Sequence, residues 1–329
     1  MPSTVIGAAG FDRLFTTSVD QHRSEFVDQV TRKRVLLALL RPNLNRGGMN
    51  GRQLVLPLIG ADLDQTETSD ASGTFTFGTS RNIVGSAVYE ASLPILTHTI
   101  IDWMALQQNA GKERIASLVD IYAAAAIRDQ ERTISNRLWA QTSDPGDPLT
   151  VYELVSDTTP VGGIDPANAD YWKSVVETYD PATEGVVEGF RKLVDGVAEN
   201  QNDGDMSGKI LIAGKNPYAE YRATFDEAKR YQTTHSVGDV EFKGLEYDGL
   251  PVIRDFDCGD NDVFLLDKNH LWFSDLNGQF LAPQGQRQVV SNDGDGNAQG
   301  TLNDAQVLVT SCALGVDSRR VHGRLTRVP

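Results

Sequence analysis

The residues that could carry chemistry are scattered along this sequence and form no catalytic pattern. No two histidines stand at helical or strand spacing, and no acid stands near them in a zinc pattern; they are His22, His98, His235, His270 and His322. The sequence has no Gly-x-Ser-x-Gly motif, and Gly208-Lys209 and Gly214-Lys215 lack the spacing of a phosphate-binding loop. We predict that the protein is not an enzyme and holds no metal or cofactor.

One acidic run invites comparison with a calcium-binding loop. Oxygen ligands at alternate positions of Asp293-Gly294-Asp295-Gly296-Asn297 could wrap a hard cation. The sixth position is alanine instead of glycine, the twelfth is aspartate instead of glutamate, and no helix leads into the run. A solvated turn within a mobile loop at 291–300 is the favoured interpretation.

The two cysteines, Cys258 and Cys312, lie far apart and show no Cys-x-x-Cys spacing. Each stands in or beside an apolar run typical of a strand. We expect both to be buried as small hydrophobic side chains in a reducing compartment.

Composition limits the classes of partner. A chain of 329 residues with 40% hydrophobic content can bury a substantial core, and its formal charge of −15 argues against a strongly cationic nucleic-acid-binding surface. The start shows no secretory signal, and the longest apolar run, at 35–40, is far shorter than the roughly 20 residues of a membrane helix. We expect no membrane contact.

Two basic groups interrupt this acidic background. One holds seven basic side chains between Arg23 and Arg52, in a segment with helical apolar spacing that ends at Pro42 and the Gly47-Gly48 pair. The other comprises Arg319, Arg320, Arg324 and Arg327. Either group could bind DNA or pair with acidic surfaces, and on so acidic a chain such patches favour self-association.

The remaining elements alternate in the α+β manner. Strand-like runs at 54–59 and 73–78 flank a polar, acidic stretch, which predicts a projecting β-hairpin or, alternatively, a meander at a sheet edge. Residues 112–142 contain neither glycine nor proline and predict a helix roughly 45 Å long. Further helices are predicted at 181–199 and 216–228. Strands are predicted at 209–213, 240–242, 250–253, 263–266, 271–273 and 306–310.

Several segments, in order, resemble the major capsid proteins of tailed bacteriophages, which have the Hong Kong 97 type fold. Each segment is weak evidence alone, but their order and spacing are specific, and together they cover most of 50–327. The segments are 99–103 leading into 111–115, 161–165 followed by 171–173, 209–214, 242–253, and 262–267 preceding 270–273.

The resemblance implies an α+β capsid fold with four parts. These are an N-terminal arm at 1–50, an extended β-hairpin loop at 51–95, and interleaved peripheral and axial domains over 96–329, with a spine helix at 112–142. It implies a subunit that assembles as pentamers and hexamers into an icosahedral head around double-stranded DNA. The localisation implied is the virion, assembled in the cytoplasm of a bacterial host.

Partners also follow from the resemblance. We expect a portal protein, loose contact with packaged DNA, a decoration protein as an option, and a separate scaffolding protein because arm sequence begins almost at once. Residues 51–95 contain no lysine, so covalent crosslinking through this loop is not expected. The residues predicted to contact neighbouring subunits are Leu56, Leu58, Phe75, Phe77, Arg32, Arg34 and Arg41.

Two other classes remain open at this stage. An encapsulin-like compartment uses the same fold to enclose cargo enzymes, and a cargo-docking patch on the inner arm would distinguish it. An α+β enzyme would require a pocket with converging titratable groups.

Overall fold

The computed structural model describes residues 34–44, 49, 51, 53–59, 84–101, 112–201, 206–226, 233–237, 240–276, 280–292 and 298–328. The helices are α1 (Val35–Leu40), α2 (Lys112–Leu138), α3 (Val151–Leu154), α4 (Gly185–Gln201) and α5 (Lys215–Asp226), with 3-10 turns at Arg41–Asn43 and Asp170–Trp172. The strands are β1 (Gln53–Ile59), β2 (Val84–Glu90), β3 (Ile95–Ile101), β4 (Val175–Tyr179), β5 (Lys209–Ala213), β6 (Thr233–Val237), β7 (Val240–Tyr247), β8 (Leu250–Arg254), β9 (Asp262–Asp267), β10 (Leu271–Asp275), β11 (Ala282–Asn292), β12 (Ala298–Thr310), β13 (Cys312–Val316) and β14 (Gly323–Arg327).

Strands β1 and β2 form an antiparallel pair that runs from Gln53 opposite Glu90 to Ile59 opposite Val84. Alternate residues of β1 face inward, which is the period-2 pattern of a strand with one covered face. The pair is tied to the rest of the protein at Tyr89, whose hydroxyl donates to the Val316 carbonyl at 2.6 Å. The predicted strand at 54–59 is therefore confirmed, but its partner is β2, which the sequence analysis did not identify. The strand predicted at 73–78 lies outside the described residues.

Helix α2 begins where the sequence predicts but ends at Leu138 instead of residue 142. Its 27 residues correspond to a length of about 40 Å. Beyond Leu138 the chain tightens, because the Ala140 N–H bonds the Arg137 carbonyl instead of the carbonyl four residues back. The Ser143 N–H then donates to the Glu153 carboxylate at 3.0 Å, so a polar side chain outside the helix ends it earlier than the absence of glycine and proline suggests.

Helix α2 packs against a three-stranded sheet of order β11-β12-β3. The Gln130 side chain donates to the carbonyls of Ile95 and Leu308 at 2.9 and 3.4 Å, which joins the helix to two of the strands. Strands β11 and β12 pair as far as Asn292 opposite Ala298. The prediction of a polar loop at 291–300 is thus wrong at both ends, because these polar residues pair as β-strands. Residues 293–297 lie outside the described part.

A seven-stranded sheet of order β4-β14-β9-β5-β8-β7-β6 forms the second layer of the protein. Helix α4 covers it with Phe190, Leu193 and Val197, each 0% exposed. Strand β14 pairs in parallel with β4, and the paired residues Gly323 and Val175 are 148 positions apart in the sequence. The sequence pattern alone did not identify either strand. At Gly323 a Cβ would approach the Leu193 side chain to 2.7 Å, so only glycine permits this close packing of helix and strand.

The predicted hairpin at the Asp248-Gly249 turn is confirmed by β7 and β8. Both turn residues have positive φ, 49° for Asp248 and 77° for Gly249, as a two-residue hairpin turn requires. The predicted strand at 209–213 is also confirmed as β5, and all five of its residues are buried. No described helix is long and apolar enough to cross a membrane.

Candidate assembly surfaces

The first described segment of the chain is anchored by an ion pair. The Arg34 guanidinium donates to the Asp257 carboxylate, and Ser135 on α2 donates to the same oxygen at 2.6 Å. Both charged side chains are less than one-fifth exposed, with 17% for Arg34 and 19% for Asp257. This contact joins three parts of the sequence that lie more than 100 positions apart, so the segment's position is set by tertiary structure.

Helix α1 lies inside the protein instead of on its surface. Every residue of Val35–Leu40 is at most 4% exposed. The apolar run is hydrophobic all round, which is typical of a buried helix. Beyond it, Leu44 forms a parallel bridge with Phe273 on β10. The predicted helical character of this segment is confirmed for these six residues, while residues 1–33 lie outside the described part.

Two buried acidic residues, Asp255 and Glu131, lie near this first described segment. Asp255 is 1% exposed and accepts hydrogen bonds from the Leu36 N–H at 3.2 Å and the Trp139 indole at 3.3 Å. Burial raises the pKa of this carboxyl. Burial likewise raises the pKa of Glu131 on α2 to about 8, although the cations of Arg41 and Arg34 oppose this shift. Glu131 is therefore mostly protonated at pH 7.

The residues predicted to contact neighbouring subunits are found in three situations. Leu56 and Leu58 are 6% and 7% exposed and belong to the protein's own core, so little of their surface is left for another subunit. The apolar face of the β1–β2 pair packs against other elements of the same chain, so it is buried without a neighbouring subunit. Arg34 is engaged within its own chain, and Arg41 is exposed. Contact of these residues with a neighbour stays a prediction, and Phe75, Phe77 and Arg32 lie outside the described residues.

The C-terminal arginines do not form one cationic surface. Arg319 is 0% exposed and donates to four backbone carbonyls, those of Leu154, Thr159, Glu153 and Ser156, at distances of 2.5 to 3.1 Å. Arg327 pairs with Glu220 at 2.6 Å. These two charges are thus occupied within the chain, and the sequence could not reveal this because their acceptors come from distant segments.

A polar centre lies where β5, β9, β10 and the β13–β14 connection meet. Lys209 and Asp267 are both buried and their charged atoms are 3.6 Å apart. His322 is 0% exposed and accepts from the Asp267 N–H at 3.1 Å, while His270 contacts Asp317 at 2.7 Å. Burial, reinforced by His270, lowers the pKa of His322 to about 3, whereas the hydrogen bond to Asp317 raises the pKa of His270.

The contacts shown for this polar centre are hydrogen bonds and ion pairs within the chain. Within the described ranges, no group of three or more His, Cys, Asp or Glu side chains is arranged to hold a metal ion.

Both cysteines are buried and unpaired, as predicted from the sequence. Burial raises the pKa of both thiols, which keeps them protonated and poorly nucleophilic.

The apolar side chains that remain exposed mark where partners could bind. Among the large hydrophobic residues described, Val55, Leu93, Leu96 and Phe256 are more than half exposed, at 54%, 58%, 59% and 76%. Sequence reasoning missed all four. The alternation along β1 could have identified Val55, because its neighbours Leu54 and Leu56 face inward.

Comparison with solved structures identifies the architecture. A structure of the cyanophage A-1(L) capsid asymmetric unit matches 88% of this chain and 92% of its own, with a TM-score of 0.62 and 11% sequence identity. The chain has the Hong Kong 97 type capsid fold. A structure from Mycobacterium phage Adephagia covers 90% of both chains with a TM-score of 0.54 and 14% identity. The capsid of the native GTA particle covers 89% of this chain and 90% of its own, with a TM-score of 0.54 and 10% identity.

The likeness is one of structure and not of sequence. No protein-family model matches the chain, and no curated protein sequence matches it. The predicted α+β capsid fold is confirmed. At these identities the match establishes the fold, while the activity must be argued from the surfaces described above.

Proposed function

We propose that this chain is the major capsid protein of a tailed phage. In this role it assembles as pentamers and hexamers into an icosahedral head that encloses double-stranded DNA, and its location is the virion. The observation that carries the proposal is the match to a phage capsid asymmetric unit over 88% of this chain and 92% of the other. Near-complete coverage of both chains means that the likeness involves the whole subunit instead of one shared motif.

The arrangement of the described elements supports the same role. The β1–β2 pair would belong to the extended loop at 51–95, and α2 with its three-stranded sheet would form the peripheral domain. The seven-stranded sheet with α4 and α5 would form the axial domain. The N-terminal arm would comprise 1–50, with Arg34 and the buried helix α1 as the part that attaches it to the rest of the chain.

Charge favours a shell that encloses DNA without holding it tightly. A formal charge of −15 repels the phosphate backbone, so contact with packaged DNA would be local and loose. Arg319 and Arg327 are occupied within the chain, which reduces the cationic charge that the C-terminal group could offer to DNA. Scaffolding, portal and decoration proteins are the further partners expected of such a subunit.

An encapsulin-like compartment is the alternative that uses the same fold. The three structures compared above are named for phages and a GTA particle, and this favours the phage capsid. The two functions differ in contents, since one shell would enclose nucleic acid and the other a cargo protein.

The test is negative-stain electron microscopy of the fast-sedimenting fraction after expression of the chain alone and with a candidate scaffolding protein. Closed shells or ring-shaped capsomers are expected, because many weak contacts between copies add to a stable assembly. Uniform small monomers under both conditions would contradict the proposal. Shells purified with one co-purifying enzyme and no scaffolding requirement would favour the compartment.

A further inference from the structure

The loop between β8 and β9 displays an aromatic side chain to solvent. Phe256 is 76% exposed, more than any other large hydrophobic side chain in the described part of the chain. The Arg254 guanidinium lies over its ring, 4.5 Å from the centroid. Aromatic residues and arginine are both enriched at protein interfaces. We call these two residues the knob.

The knob is held rigidly from both sides. Asp255, which precedes the phenylalanine, is buried and bonded to α1 and to Trp139, and its own N–H donates to the Ala213 carbonyl at 3.2 Å. Asp257, which follows, is fixed by Ser135 and Arg34. With both neighbours anchored inward, the ring is forced outward. A loop whose backbone is already anchored on both sides of the ring loses less conformational entropy when it binds.

A second exposed patch has complementary chemistry. Leu93 and Leu96 are 58% and 59% exposed, and Pro94 between them is also exposed. The Leu93 N–H donates to the Gly146 carbonyl at 2.7 Å, which places the 144–146 turn, with the exposed Asp144, next to Leu93. We call Leu93, Pro94, Leu96 and Asp144 the socket, because it offers an apolar surface for a ring and a carboxylate for a guanidinium.

The two patches lie on different sides of α2. The socket strand is joined to the helix through Gln130, which donates to the Ile95 carbonyl, and the knob loop is joined through Ser135. Five residues of an α-helix turn through about 140° beyond one full revolution. The two attachment points therefore lie on different faces of the helix, which separates the two patches on one subunit, so a contact between them requires a second copy.

We propose that the knob of one subunit binds the socket of a second copy of this chain, as a contact between subunits of the shell. The inference rests on the proposed function, and it adds the residues that form one of the contacts. A contact between two different patches of identical subunits is heterologous, and heterologous contacts close into rings when the rotation permits. Such contacts suit pentamers and hexamers.

Engineered disulfides test the contact directly in assembled particles. Shells of the double variant Phe256→Cys/Leu96→Cys, and separately of Phe256→Cys/Leu93→Cys, are oxidised and run on a non-reducing denaturing gel. A heterologous contact gives a ladder of covalent oligomers beyond the dimer, which collapses to monomer on reduction. The native Cys258 and Cys312 are 5% and 0% exposed and should not contribute to the ladder.

Single-cysteine variants are the matched controls. Phe256→Cys alone and Leu96→Cys alone should stay monomeric after oxidation, since each new thiol would face a leucine or a phenylalanine. Dimers from Phe256→Cys alone would show that two knobs meet each other, and that outcome overturns the proposal.

Charge reversal provides an independent measurement. Asp144 is exposed, so Asp144→Lys should leave thermal unfolding unchanged while it places like charges in contact and lowers the yield of shells roughly tenfold. Adding Arg254→Glu should restore the yield. If the wild-type chain forms shells but shells of neither double-cysteine variant give a ladder, the contact is overturned and the shell function stands. If the wild-type chain forms no shells, the proposed function itself is overturned.

Discussion

We expect acid to destabilise the unassembled subunit through His322. This side chain is 0% exposed, and its Nδ1 accepts the Asp267 N–H, so the proton of the neutral ring lies on Nε2. That Nε2 has no hydrogen-bond partner among the described residues. A charged ring would lose the Asp267 hydrogen bond and would place a cation beside Lys209 and His270 without solvent.

The size of the effect follows from the pKa of His322, which burial lowers from 6.5 to about 3. A group with a depressed histidine pKa binds its proton more weakly in the folded state, so its contribution to stability is present above pH 6.5 and is lost as the pH falls toward 3. At about 1.4 kcal/mol per pH unit, the free energy of unfolding should fall by about 2 kcal/mol between pH 7 and pH 5. His270, whose pKa is raised by Asp317, opposes part of this loss because its contribution is retained at low pH.

The assay is urea unfolding of wild type and His322→Asn at pH 7 and pH 5. An asparagine oxygen can accept the Asp267 N–H in place of Nδ1, and the amide does not titrate. The loss of stability from pH 7 to pH 5 should therefore be about 2 kcal/mol smaller in the variant, whatever its absolute stability. His98→Asn is the matched control because His98 is exposed, and it should behave as wild type. Equal losses in wild type and His322→Asn would refute the reasoning.

Two further predictions concern buried contacts of the arginines. Arg319→Met should lower the free energy of unfolding by about 3–5 kcal/mol in urea, since four buried carbonyls lose their donor. Arg191→Met, on the exposed face of α4, should leave the free energy of unfolding almost unchanged. Similar losses in both would contradict this account. Asp257→Asn removes the charge that pairs with Arg34, so tryptic cleavage after Arg34, followed by mass spectrometry, should become roughly tenfold faster. Asp170→Asn, which removes the partner of Lys173, should leave this cleavage rate unchanged. An unchanged cleavage rate in Asp257→Asn would show that the ion pair does not hold the segment.

Local patterns predicted the elements whose conformation depends on neighbouring residues. Helix α2 follows from a long run without glycine or proline, and the β7–β8 hairpin follows from Asp248-Gly249 between apolar runs. The end of α2 was placed four positions too late, because the acceptor that captures the chain after Leu138 is Glu153. That side chain belongs to a separate capping box with Thr150, which ordinary helix-stop signals do not reveal.

The candidate assembly surfaces were harder to predict than the fold. An apolar strand residue such as Leu56 looks available for a partner until the core behind it is known, and an arginine such as Arg319 looks like surface charge until its four acceptors are known. Exposure is a property of the packed protein. Phe256 is exposed because its two neighbours are anchored inward, and no pattern within the loop itself records this.

The sequence by itself determined the fold class of this protein: an acidic chain with a long helix, the β7–β8 hairpin and α+β alternation, in an order that resembles the Hong Kong 97 type fold. Only the tertiary structure decided which charges are satisfied within the chain and which apolar side chains remain exposed. The physical reason is distance along the chain. Secondary structure depends on residues a few positions apart, whereas the contacts of Arg34, Arg319 and His322 join segments separated by 55 to 223 positions.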